Sequence, residues 1–209
     1  MTLEIPEEKI EEKPSWWQWF ENRGDGPVGM SLLAAAAMLD SIIIFFPPEI
    51  ILAALVLAKP KKWIFYTLFT VLFTTVGAII TYILGAFFFD LFGTVLVSFV
   101  GGESVFVEVQ KLFNLNVILG LLFVGVTPIP WVPFLLAAGV FKVNFGAFLI
   151  GVVLARVIRF GVIAFLVAFF GKPGLALVLR TLRFLGTTGI IISIVAVIIV
   201  ASLFVQFFL

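Results

Sequence analysis

The chain has 209 residues, 63% of them hydrophobic and 12% charged, with a formal net charge of +1 and a mean hydropathy of +1.27. A soluble domain carries about twice that fraction of charge. No polar linker divides the apolar runs, so one integral membrane domain is expected. Cysteine and histidine are absent, which excludes disulfides, thiolate nucleophiles, imidazole acid–base chemistry and nearly every zinc or haem site.

Residues 1–27 hold seven acids and three bases, against five acids and ten bases in the remainder. An acidic start is the wrong charge for the n-region of a secretory signal peptide, so a retained cytosolic tail is expected. Within it, "PSWWQWFE" offers Ser15 as an N-cap followed by Trp16, Trp17, Trp19 and Phe20. Such aromatics favour the membrane–water interface and predict a short surface helix.

Residues 28–58 form the first apolar stretch, but Asp40, Glu49 and the break "FFPPE" interrupt it. Residues 63–89 are uncharged and exceed the roughly 20 residues that span a bilayer. In "GGESVFVEVQKLFN" the residues Val105, Phe106, Val109, Leu112 and Phe113 share one helical face, which predicts a surface helix over 102–114. Residues 115–141 carry Pro128, Pro130 and Pro133 within "TPIPWVP". Three prolines in six residues end a helix, because each removes a donor and clashes with the preceding turn. Residues 143–171 make a second spanning helix, with Arg156 and Arg159 at mid-depth as its only charges; residues 184–209 make a third.

Backbone broken at membrane depth survives only when buried in protein or lining a wet cavity. Both defective stretches are therefore expected to be re-entrant hairpins that return to the side they entered. Making the second one re-entrant puts Lys59, Lys61 and Lys62 on the same side as Lys172, Arg180 and Arg183, as the positive-inside rule requires. The predicted fold is an all-α integral membrane protein: a tail (1–27), a membrane domain (28–171) with two oppositely oriented re-entrant hairpins, each followed by a transmembrane helix, then a basic connector and C-terminal transmembrane helix (172–209). The N-terminus is expected in the cytoplasm and the C-terminus outside. Inverted repeats of broken helices are a transporter layout with the site near the midplane.

An arginine at the centre of a membrane helix costs about 2.5–3.5 kcal/mol on insertion scales, so the pair needs a reason. Two readings stand. Either Arg156 and Arg159 form ion pairs with Asp40 or Glu49, or they receive a phosphate, which two planar guanidiniums on one face can grip. The readings are compatible if the pairs exchange during transport. Glu49, directly after Pro47–Pro48, suits the start of a half-helix. It suits proton coupling equally, as does Asp40, because a carboxyl in a low-dielectric cavity readily takes up a proton. Gly77, Tyr82 and Gly85 are expected at close helix packing, and Asn144 as a cap or a ligand.

The segments "DSIIIFFPPEIIL", "GAIITYILGAFFFDLFG" and "TPIPWVPFLLAAGVFKVNFGAFLIGVVLARVIRFG" resemble the DedA superfamily of SNARE-associated, or VTT-domain, membrane proteins, in particular a small branch with a Thr-Pro-Ile-Pro motif. The resemblance covers about residues 30–171. It implies a double re-entrant fold in a prokaryotic plasma (inner) membrane. It also implies lipid transport, either scrambling of phospholipid or movement of a polyprenyl phosphate. Asp40 and Glu49 match the family's paired acids, taken here as proton-coupling residues. Thr127, Pro128, Ile129 and Pro130 match its second re-entrant motif, and Ala138 and Gly139 its Ala-Gly. Arg156 and Arg159 match its paired basic positions, and with Thr127, Pro128 and Pro130 they form the expected lipid-phosphate site. The chain departs from the family in having Val132 where many members have lysine, and Gly125 and Trp131 where others have arginine.

The partners expected are lipid headgroups, with no nucleic acid, metal or cofactor; a homo-oligomer fits the same reading. The alternative function is a membrane-protein insertase or assembly factor with a hydrophilic groove. Enzymatic activity is not expected, because no serine sits beside a buried base in a recognised motif.

Overall fold

The computed structural model describes residues 24, 26–42, 47–99, 103–127 and 131–181. Among these, every regular element is helical: α1 (Pro27–Asp40), α2 (Glu49–Ala58), α3 (Trp63–Phe99), α4 (Glu103–Leu115), α5 (Val117–Val126), α6 (Val132–Val140) and α7 (Phe145–Phe170). A 3-10 turn, Pro60–Lys62, joins α2 to α3, and 172–181 is helical. The predicted aromatic helix near Trp16, the C-terminal span 184–209, and Pro128, Ile129 and Pro130 lie outside the described residues.

The helix ends follow local chemistry. Pro27 opens α1, where its missing N–H goes unneeded. Pro47–Pro48 cannot sit inside a helix but can precede one, and α2 begins at Glu49. With 14, 10, 10 and 9 residues, α1, α2, α5 and α6 reach only about 21, 15, 15 and 14 Å at 1.5 Å per residue. Each falls short of a hydrocarbon layer about 30 Å thick. Two segments are long and apolar enough to cross it, Pro60–Leu91 and Phe145–Phe170, and only 33% of the most apolar window of each is buried. Ile64, Phe65, Leu68, Leu72, Val76 and Ile80 form an exposed stripe along α3. Thr67, Thr70 and Thr74 are buried in the same helix, and their hydroxyls donate to the carbonyls of Trp63, Tyr66 and Thr70 at 2.7–2.8 Å.

The helices gather into two cores, one at the start of α3 and one at its middle. In the first, Leu33 of α1 and Leu52, Leu55 and Val56 of α2 pack on Tyr66, Val71 and the far half of α7 at Phe160, Ala164 and Val167. In the second, Leu121 and Val124 of α5 and Leu135 and Ala138 of α6 pack on Ala78 and the near half of α7 at Phe148, Val152 and Ala155. The start of α3 thus meets the end of α7, where Trp63 sits edge-on to Phe165 and Phe169. Farther along, Tyr82 meets Phe145 and Phe148 at the start of α7. The 59–62 turn packs on α7, and Val178 of the 172–181 stretch joins the first core.

Backbones touch at the glycines that the sequence marks for close packing. A Cβ on Gly77 would overlap the Met38 carbonyl, and one on Gly85 the Leu136 carbonyl. Gly139, from the Ala-Gly pair, meets the Tyr82 carbonyl in the same way, so α6 lies flat against α3. Gly139→Ala is expected to destabilise the fold by about 1–3 kcal/mol, because the overlap is with backbone that no rotamer change can relieve. Gly120→Ala, in open space on α5, is expected to be neutral or slightly stabilising. Thermal unfolding of the two variants in detergent checks this pair, and equal melting temperatures would refute it.

Three boundaries differ from expectation. Helix α3 continues ten residues past 89, to Phe99. The charge at Asp90 does not end it, since that exposed carboxylate pairs with Lys142 at 2.7 Å. The stretch after 171, expected as a connector, is helical through 181. Helix α4 does more than lie on a surface: Phe106 is buried, stacked on Phe89 and against Phe141. Its Gln110 Nε2 donates to the Phe141 carbonyl at 2.7 Å. The side chains of Val105, Val109 and Leu112 lie outside those described.

Candidate functional site

The two helix breaks face each other midway along α3 and α7. Ser41, just past the end of α1, donates through Oγ to the Thr74 carbonyl at 3.1 Å, and its own carbonyl accepts from Thr81 Oγ1. This seats the first break against the middle of α3. On the other side stands α7, whose i, i+3 arginines project about 60° apart around the helix axis. Arg156 lies on the buried face, 1% exposed, between Val152 and Phe160, whereas the Arg159 side chain stays 23% exposed at the edge.

Each arginine meets one acid of the first break. Arg156 Nη2 lies 2.8 Å from Asp40 Oδ2. Arg159 donates through Nε at 2.9 Å and approaches through Nη2 at 2.7 Å, both to Oε1 of Glu49. The burial is crossed. In one pair the arginine is enclosed and the acid 17% exposed; in the other the acid is 1% exposed and the arginine reaches outward.

Both arginines also touch the second break. Arg159 Nη1 lies 3.5 Å from the Gly125 carbonyl near the end of α5, a weak contact at that distance. Arg156 stacks on Trp131, the residue that leads into α6, with Cζ 4.1 Å from the ring centroid. A second ring, Phe160, lies 5.5 Å away. Two charged side chains thus join the two breaks.

The hydrogen bonding at this junction is incomplete. Among the described residues, Glu49 Oε2, Trp131 Nε1 and Arg156 Nε are buried without a hydrogen-bond partner. The Arg156–Asp40 contact has ion-pair distance but lacks hydrogen-bond alignment, so Arg156 Nη2 is unsatisfied as well. Asp40 Oδ2 is the fifth such atom; buried donors and acceptors are nearly always matched, and five bare ones at one junction mark a place where water, a proton or a ligand belongs.

The sequence-predicted residues divide. Asp40, Glu49, Arg156 and Arg159 come together. Thr127 caps α5 instead: its N–H donates to the Phe123 carbonyl and its Oγ1 to the Val124 carbonyl at 3.3 Å. Pro128 and Pro130 fall outside the described residues. Asn144 is a cap, accepting from Ala147 N at 2.9 Å. Trp131 was marked in the sequence only as a departure from a family pattern, and nothing local identifies it as the platform for a guanidinium 25 positions ahead. Among the described residues, no three metal-ligating side chains gather as a metal site would need.

No family model matches the chain, and no solved structure matches it. An uncharacterized protein of Haemophilus influenzae is 24% identical over 164 residues, which span 78% of this chain and 85% of that protein.

Proposed function

We propose that this chain is a membrane-embedded lipid transporter of the kind its resemblance to the DedA superfamily implies, moving a phosphate-bearing lipid headgroup past Arg156 and Arg159. The observation that carries this reading is the junction itself: two guanidiniums bridging two opposed helix breaks, with a buried Arg156 N–H left unmade. In this reading α1–α2 and α5–α6 are re-entrant hairpins entering from opposite faces, and the outward stripe of α3 faces acyl chains. Apolar helices with only a third of their most apolar window buried support a lipid surround, because water would drive such surface together.

The chemistry follows from competition for the guanidiniums. An arriving phosphate offers the same oxygen geometry as the carboxylates and can displace them from the arginines. Glu49 holds Arg159 through Oε1 alone, so an arriving phosphate has a single carboxylate oxygen to displace from Arg159. The crossed burial gives the headgroup a point of approach at the outward end of Arg159.

Two measurements test this. Purified protein in liposomes is expected to move labelled phospholipid or polyprenyl phosphate faster than protein-free vesicles, at a rate that Glu49→Gln changes. Flux no faster than in empty vesicles for every phosphate-bearing lipid would overturn the reading. For topology, Lys61→Cys and Arg180→Cys on this cysteine-free chain are expected to react with an impermeant reagent from the same face. Labelling from opposite faces would defeat the double re-entrant layout.

A further inference from the structure

The Trp131 indole is closely packed. A Cβ added at Gly125 would come within 2.6 Å of the ring's Cζ3 and of the Ala155 Cβ, so the ring occupies the space that any other residue at 125 would need. The Arg156 guanidinium lies 4.1 Å from the ring centroid. The ring is 6% exposed, and its Nε1–H bonds nothing among the described residues; nor does the Nε–H of the arginine stacked on it. The two bare donors belong to two side chains that touch.

Neither acid of the junction accepts from these two donors, although Glu49 Oε2 and Asp40 Oδ2 are themselves without a hydrogen-bond partner. Asp40 approaches Arg156 through Nη2, and Glu49 turns Oε1 to Arg159. We propose that Trp131 Nε1–H and Arg156 Nε–H together form the seat for one oxyanion of the phosphate class. This deepens the headgroup reading above and rests on it. Tryptophan suits the position because an indole donates a hydrogen bond and carries no charge. The four charges of the junction are two acids and two arginines, already balanced. A lysine or arginine at 131 would add a third cation and draw Asp40 or Glu49 to itself. An indole cannot compete for the acids, so its N–H stays open to an incoming oxyanion.

The test follows the indole N–H NMR signal of Trp131, assigned by its loss in Trp131→Phe, in protein held in uncharged detergent. Short-chain phosphatidic acid is expected to move the signal downfield, whereas a diacylglycerol with the same tails leaves it in place. A shift with inorganic phosphate as well makes the seat a reader of phosphate alone; a shift with the lipid only makes it a reader of a tethered headgroup. No shift with either overturns the proposal. Trp131→Phe keeps an aromatic face under Arg156 while deleting the N–H, and is expected to weaken phosphatidic acid binding about tenfold. If Arg156→Gln loses binding and Trp131→Phe binds as the parent does, the indole seat fails and the headgroup reading stands. If Arg156→Gln itself binds undiminished, the headgroup reading fails too.

Discussion

Arg159→Gln is expected to be among the most destabilising single substitutions in the chain, and adding Glu49→Gln to it is expected to restore most of what is lost. Removing one partner of a buried ion pair costs about 3–5 kcal/mol, because the other charge is left without compensation; removing both can be nearly neutral. The crossed burial sharpens this into an order. Arg159→Gln strands Glu49, which is 1% exposed, whereas Glu49→Gln strands an arginine whose side chain is 23% exposed. The first should therefore cost more than the second. In the other pair the order reverses by residue type: Asp40→Asn strands the enclosed Arg156, and Arg156→Gln strands an aspartate that is 17% exposed. Here the acid is the costlier loss. Thermal unfolding in detergent of the four singles and two doubles measures both cycles. Strictly additive losses within a pair would mean that the charges do not depend on each other.

How much of this was legible in the sequence varies with the kind of signal. The breaks could be read from proline chemistry, since Pro47–Pro48 can only precede a helix and α2 starts at the next residue. Asp40, Glu49, Arg156 and Arg159 stood out because a charge inside an apolar run demands a partner. Which acid meets which arginine was not readable. That depends on the rotation of α7 against the first break, and the i, i+3 spacing only puts both arginines on the same side. The length of α3 is not legible from Asp90, because an exposed charge within a helix needs only a surface partner such as Lys142. Trp131 was missed as part of the junction for a different reason. A tryptophan in an apolar run is no anomaly in sequence; its unmade N–H appears only once the neighbours are in place.

The junction also explains why the arginines cannot be judged by charge alone, and Arg156→Lys is the variant that separates shape from charge. A lysine at 156 can still neutralise Asp40, so the fold is expected to hold near the parent's melting temperature. It lacks the planar fork that stacks on Trp131 and has no counterpart of the bare Nε–H. Flux of a phosphate-bearing lipid is therefore expected to fall about tenfold or more, the equivalent of one charge-assisted hydrogen bond in the transport barrier. The doubly neutral Arg159→Gln, Glu49→Gln protein supplies the converse case: its fold is expected to recover, yet it presents one guanidinium where the proposed headgroup site uses two, so its flux is expected to stay low. If the arginines serve only to balance Asp40 and Glu49, both proteins should transport as the parent does. Full flux in the doubly neutral protein would remove Arg159 from the headgroup path, and full flux in Arg156→Lys would remove the need for a planar guanidinium at 156.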